Sequence, residues 1–391
     1  MKPSHLRISG KINIGDAAWS RGVHKPQPKE VVMFTAKVGG KSKSATLKIV
    51  GAMLALMVVV VLGPGQALAH DDRDDHDRGD YRWHHRADAC AQTSKAALTA
   101  CRFAAREEYS LALGRCKNVS KEEQGECIAE AKEGEDGFYS ALEECNEQFD
   151  ARQEVCEADG IGPGPYLPDG IDSDDFKKTP TLSKGYFPLV PGTTYVYKNY
   201  DEGGVIQETI VVEVKDETRE IDGVQCRVVQ DTAYEGDSRD EKIEDTTDWY
   251  ALQSNGDVWY FGEIALNYEE GVVTNIDGSW TTGMEGAKPG ILMYRDPGAH
   301  TGETYRQEFA LSEAEDVATM VEILTPDQFE EVDGAQMVPD RFKTGNILHT
   351  LEFSALEPGV FEDKYYAPGI GNVLVVNEDT GEMEVLIRKA P

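Results

Sequence analysis

Six of the seven cysteines lie between Cys90 and Cys156, in a stretch without proline. Cys90 and Cys101, Cys116 and Cys127, and Cys145 and Cys156 are each eleven residues apart. Three helical turns span about eleven residues, so each pair falls on one helix face. About 16 Å of helix rise separates the members of a pair, whereas bridged Cα atoms lie within about 7 Å. Bridges must therefore cross between helices. In an antiparallel hairpin, paired residue numbers have a nearly constant sum. Cys90 with Cys156 and Cys101 with Cys145 both sum to 246, and Cys116 with Cys127 to 243. Among the connectivities open to six cysteines, this nested ladder fits one hairpin register best. Steps of three and four from Cys127 through Phe138 and Cys145 to Cys156 predict one long second helix. A capping-box pattern at Ser120 and Glu123 pulls that helix's start earlier than the ladder wants. The turn is thus expected to hold a short distorted segment, or the innermost bridge to be strained. The role of these cysteines is structural, at roughly 2–4 kcal/mol per bridge. Their spacing does not match the CxxC-like clusters of zinc sites.

Disulfides imply an oxidising compartment, and the N-terminal region agrees. Residues 49–62 form a short apolar run after Lys37, Lys41, Lys43 and Lys48, and Ala67-Leu68-Ala69 follows. This reads as a secretory signal peptide cleaved after Ala69, with Met33 as the more ordinary start. The run is short for a bilayer span, and no cysteine stands at the cleavage site for lipid attachment. The mature chain is expected to be periplasmic or secreted, without a transmembrane anchor. The full chain carries a net charge of −32. Residues 1–69 hold ten basic and two acidic residues, so their removal deepens this by eight, to −40. Such a charge argues against nucleic acid as a partner and favours cationic partners or ligands.

Composition divides the chain. Residues 1–69 are the upstream region and signal peptide. Residues 70–86 are a His/Asp tail nearly free of aliphatic side chains, expected to be disordered. Residues 87–159 are the cysteine-rich helical hairpin, resembling a coiled coil in its stripe. Residues 160–184 read as an acidic Gly/Pro linker. From 185 to 391 the pattern becomes short β-branched and aromatic runs broken by Gly, Asn and Asp. Strands are expected near 194–197, 207–215, 224–231, 248–252, 258–262, 304–309, 347–353, 365–366, 373–377 and 383–387. Asn255-Gly256 marks a hairpin turn, and Ser312–Leu324 fits either helix or strand. The fold class is α+β and multidomain: a disulfide-linked antiparallel helical hairpin, then an all-β antiparallel meander forming a half-barrel, barrel or sandwich. Cys226 is left as a free thiol in a strand.

Tyr186-Phe187-Pro188-Leu189, the stretch Asp248-Trp249-Tyr250-Ala251 through Glu263, Gly286–Gly290 and Tyr365–Gly371 carry a resemblance. Over about 185–390 the chain resembles an uncharacterised β domain of exported bacterial proteins, distantly like lipoprotein-carrier-type half-barrels. The resemblance implies a fold and an exported setting, and brings no known activity.

Three groups are candidates for chemistry. His70, His76, His84 and His85, among aspartates, suit Cu or Zn, against the plainer reading of a solvated tail; no other cofactor is expected. Asp169, Asp172, Asp174 and Asp175 offer oxygens for Ca²⁺ but lack the EF-hand pattern, so a solvated linker is favoured. Trp249, Tyr250, Trp259 and Tyr260 either line a ligand pocket or pack the core. Hydrolase, metalloprotease, P-loop and Rossmann signatures are missing. The leading expectation is an exported, non-catalytic binding or structural protein of unknown protein or small-molecule ligand. The alternatives are a divalent-metal-binding protein using the His/Asp tail, and a carboxylate-dependent hydrolase.

Overall fold

A computed structural model of the chain describes residues 88–168 and 171–391. The apolar run, the His/Asp tail with its four histidines, and Asp169 lie outside the described residues.

Helix α1 (Ala89–Cys116) opens on Asp88, whose carboxylate accepts from the Ala91 N–H at 3.0 Å. This satisfies one of the orphan donors of the first turn. The predicted second helix is interrupted into α2 (Gln124–Glu133) and α3 (Phe138–Glu157). The break is Gly134-Glu135-Asp136-Gly137, where both glycines are extended and the Gly137 N–H closes on Gly134 O at 2.9 Å. Each glycine costs a helix about 1 kcal/mol against alanine. Helix α2 buries no residue, so no tertiary packing offsets that cost. The bridges are Cys90–Cys156, Cys101–Cys145 and Cys116–Cys127, with Cα separations of 5.7, 5.7 and 5.6 Å. The tension at Ser120 resolves as a distorted turn. Glu123 accepts from Ser120 Oγ at 2.7 Å and from Ser120 N at 3.3 Å, and regular helix starts only at Gln124.

Fifteen strands follow. They are β1 (Thr194–Tyr200), β2 (Ile206–Ile221), β3 (Val224–Glu235), β4 (Lys242–Leu252), β5 (Val258–Glu269), β6 (Val272–Asn275), β7 (Trp280–Thr281) and β8 (Lys288–Met293). The rest are β9 (Thr304–Arg306), β10 (Glu308–Phe309), β11 (Asp316–Leu324), β12 (Ile347–Ser354), β13 (Phe361–Ala367), β14 (Gly371–Asn377) and β15 (Met383–Ala390). They form one antiparallel sheet in the order β10-β8-β5-β4-β3-β2-β1-β15-β14-β13-β12-β11-β9, with β6 and β7 added on β5. The two ends of this order, β9 and β10, are separated in the chain by Gln307 alone. Residues 304–309 therefore cross from one sheet edge to the other and draw the sheet into a nearly closed barrel, leaving little open edge. The ambiguous 312–324 stretch is mostly strand β11.

Strand β8 is not among the expected strands, and its Pro289-Gly290 is a pair disfavoured inside a strand. Its glycine is required by the closure. A Cβ at Gly290 would lie 2.3 Å from the Gln307 carbonyl carbon and 2.5 Å from Arg306 O. Backbone cannot yield as a side chain does. Gly290→Ala is expected to destabilise the barrel by about 1–3 kcal/mol, read as a lowered midpoint in urea; an unchanged midpoint would contradict this account of the seam.

Within 160–184, the described segments around Tyr166 and Phe176 are packed on the barrel. Phe176 is buried edge-on against Trp259 and Phe261, and the Lys177 N–H donates to Leu252 O at 2.8 Å. Tyr166 Oη donates to Pro289 O at 2.8 Å. Burying these rings holds a Gly/Pro-rich segment that composition alone marks as loose. At the base of the hairpin Arg152 and Glu315 form a buried ion pair, and Gln148 Nε2 donates to Leu356 O at 3.0 Å. Cys226 is fully buried and unbridged, and burial pushes its thiol well up.

Candidate functional site

The largest apolar cluster joins Tyr195, Tyr197, Met320, Leu348, Leu374 and Leu386, among others, and occupies one part of the barrel. Elsewhere along the same inner positions the side chains turn acidic. On β3, Val229 faces the apolar cluster and Asp231 follows it two residues on. Val229 stands opposite Asp248 of β4, which in turn stands opposite Glu263 of β5 across a register shift. On the far side, Glu352 of β12 stands opposite Glu362 of β13, and Lys364 follows two residues later on the same face. Glu384 of β15 and Glu308 of β10 complete the group.

A cavity of about 290 Å³ opens among them at the seam of the barrel. Its walls include Glu263, Glu308, Asp316, Glu352, Glu362 and Lys364, drawn from both ends of the strand order. Asp248, Glu308 and Glu352 are 6, 6 and 7% exposed, whereas Asp316 stands at the open rim. Lys364 Nζ lies 3.1 Å from Glu352 Oε2 and 3.2 Å from Glu362 Oε2. Glu352 also accepts from Thr350 Oγ1 and Tyr366 Oη, both at 2.9 Å.

The remaining carboxylates are not so provided for. Among the described residues Glu308 Oε2 and Trp280 Nε1 are both buried without a well-formed hydrogen bond, the indole N–H standing near enough to ease the Glu308 carboxyl only in part. Burial, with the neighbouring Asp316 and Glu263, pushes the Glu308 carboxyl well above the usual range. Burial and Asp248 do the same to Glu263, and burial and Asp248 to Asp231. Burial raises Asp248 to about 7, against the opposing hydrogen bond from Tyr260 Oη at 2.6 Å, and raises Glu384 to about 7. Glu352 is the exception. Burial works to raise it, but the Lys364 ammonium and three hydrogen bonds leave it below the usual carboxylate value. The acidic part of the barrel thus combines one neutralised carboxylate, Glu352, with a set that favour their protonated forms, of which Glu263, Glu308 and Asp316 line the cavity.

The four aromatic candidates divide between the two faces of β4 and β5. Tyr250 and Tyr260 stack at 4.8 Å between centroids beside Asp248, with Tyr260 edge-on to Trp280. Trp249 packs on the opposite face beneath the Arg219 guanidinium, 4.0 Å from its ring centroid. Trp259 shares that face and donates from Nε1 to Gln253 Oε1 at 3.0 Å. Asp172 and Asp174 form a local turn, the Asp172 carboxylate accepting from Asp174 N at 3.1 Å. Among the described residues no three of His, Cys, Asp and Glu converge on a point that would hold a metal ion.

The acidic cavity has no counterpart among the candidate groups of the sequence. With 71 acidic residues, polar strand positions read as outward-facing. A usable signal was a pair of strands carrying Tyr and charge at alternate positions, Asp248 with Tyr250 on one and Glu362 and Lys364 with Tyr366 on the other.

No family model matches the chain, and no curated protein matches it. Two solved structures do. One is described as a lipoprotein from Parabacteroides distasonis, at 14% identity and a TM-score of 0.26, covering 53% of this chain and 99% of that one. The other is described as an exported protein with a YmcC-like fold from Bacteroides fragilis, also at 14% identity and a TM-score of 0.26, covering 53% of this chain and all of that one.

Proposed function

We propose that this is an exported, non-catalytic binding protein whose barrel takes up a small organic cation, an amine or diamine, in the acidic cavity. Three disulfides support an oxidising compartment, periplasmic or extracellular. The observation that carries the ligand class is the buried Glu308 Oε2 without a well-formed hydrogen bond, facing a cavity shared with Glu263 and Asp316. A buried carboxylate left unpaired is costly, and an ammonium ion would both neutralise it and donate to it. Lys364 already plays that part for Glu352 and Glu362 on the same wall. Carboxylates spread around a wall, rather than gathered on a point, suit a diffuse cation with several donors better than a divalent metal.

Calorimetric titration with 1,5-diaminopentane at pH 8 tests this. Saturable binding is expected, weakened at least tenfold by Glu308→Gln and weakened again at pH 5, where the raised carboxyls are protonated. Equal binding by the variant, or tighter binding at pH 5, would sink the proposal. A second reading has one observation in its favour. Glu308 is pushed up and Glu352 down on the same cavity, which is how an acid and a base are set apart in carboxylate hydrolases. Turnover of any glycoside or ester in a substrate panel, abolished by Glu308→Gln, would replace the binding assignment with that one.

A further inference from the structure

A second and larger space lies outside the barrel. A cleft of about 610 Å³ runs between the base of the helical hairpin, the packed segment 160–168 and the outer barrel wall. This volume falls in the range of small-molecule sites, about 300–1,000 Å³. Its apolar walls include Trp259, Ile291, Tyr294 and Leu311.

Its charge is the reverse of what the chain's composition favours. Arg306 is only 9% exposed and lines the cleft. Its guanidinium sits 4.9 Å from the Phe309 ring centroid and 5.7 Å from that of Tyr166, and Nη2 lies 3.7 Å from Cys90 Sγ. Among the described residues it has no carboxylate within ion-pair distance. The nearest acid in the cleft, Glu315, is already engaged. It accepts three hydrogen bonds from Arg152 at 2.8–3.1 Å and one from Ser312 N at 2.8 Å. Asp257, on the cleft lining, is also used: it accepts from Arg295 N at 2.7 Å and from Asn255 Nδ2 at 2.6 Å. Arg152 meanwhile keeps Nη1 buried and without a partner. Of the two nearly buried guanidiniums, Arg152 therefore takes the Glu315 carboxylate and Arg306 is left without one.

Ring faces stabilise a guanidinium modestly without neutralising it. Removing it from water costs more than that unless an anion accompanies it. In a chain of net charge −32 solvent anions are repelled from the surface, so they do not fill this role by default.

We infer that the cleft between hairpin and barrel is a binding site for an amphipathic anion, a single acidic head group held by Arg306 with its apolar body against Trp259 and Ile291. The site is independent of the acidic cavity and takes the opposite charge. It also joins two parts of the chain, so its ligand would bridge the hairpin to the barrel.

The fluorescent anion 1-anilinonaphthalene-8-sulfonate is the probe, titrated into the intact oxidised protein at pH 7.5. One saturable site with enhanced emission is expected. Octanoate should displace the probe, whereas octylammonium and inorganic phosphate at equal concentration should not. Arg306→Met keeps the apolar stem and should weaken binding at least tenfold with the thermal midpoint little changed. Thr93→Trp, which fills the cleft from α1, should abolish binding and serves if the arginine variant fails to fold. Unchanged probe affinity in a folded variant, or displacement by octylammonium or by phosphate as readily as by octanoate, would overturn the inference.

Discussion

Replacing Arg152 with methionine is expected to destabilise the protein by about 3–5 kcal/mol, the usual cost of removing one partner from a buried ion pair. The Arg152 and Glu315 side chains are 5 and 3% exposed, and three hydrogen bonds join them. Without Arg152, the Glu315 carboxylate would stay buried with only the Ser312 N–H for company. Adding Glu315→Leu should recover part of the loss, because two apolar side chains leave no stranded charge. The pair also ties α3 to the turn before β11, so the hairpin should loosen first. Urea unfolding of the two single variants and the double variant, followed by far-ultraviolet dichroism, measures the coupling. A loss below about 1 kcal/mol for Arg152→Met, or strictly additive effects, would show that the pair does not hold the hairpin to the barrel.

The barrel should become less stable as pH rises from about 4 to 8. Asp248 and Glu384 have folded-state values of about 7, mainly through burial. Unfolded carboxyls titrate near pH 4. Between these limits the folded state holds more protons than the unfolded state, so stability falls with increasing pH. Below about pH 4 both states are protonated and these groups no longer contribute a slope. Asp231, Glu263 and Glu308 are raised in the same direction and add to the trend. Glu352 adds no slope in this window: its lowered value supplies stability that is fully present above its unfolded value and is lost only as pH falls through the folded one. The sum is a decline on the order of a few kcal/mol. Thermal midpoints at pH 5, 6.5 and 8 check it. Asp248→Asn retains an oxygen for the Tyr260 hydroxyl and should flatten the slope and raise the midpoint at pH 8. A midpoint that climbs from pH 5 to 8 in the parent protein would refute the account.

The hairpin was the most legible part of the fold. Eleven-residue cysteine steps on helix-forming composition leave little choice of partner, and the bridges run Cys90–Cys156, Cys101–Cys145 and Cys116–Cys127. The helix break at Gly134–Gly137 was carried by the two glycines but hidden by the continuing three–four stripe. Strand signals were plain where β-branched and aromatic residues alternate, as in β2 and β5. They are silent at β8, where Pro289 and Gly290 are poor strand formers and the glycine serves the seam. Aromatic content pointed to β4 and β5 as a possible site, yet strand alternation sends Trp249 and Trp259 to one face and Tyr250 and Tyr260 to the other.

Local sequence was therefore enough for the elements whose physics is local: helix periodicity, cysteine pairing within a hairpin, and strand alternation. The acidic cavity and the arginine-lined cleft depend on which way each strand turns its polar positions. That is decided by bulges, by Gln307 carrying the chain between the two sheet edges, and by the packing of Phe176 and Tyr166 on the barrel wall. Asp248 and Asp245 are both aspartates on the same strand in the sequence. Only closure of the sheet buries one among repelling carboxylates and leaves the other paired with Lys242.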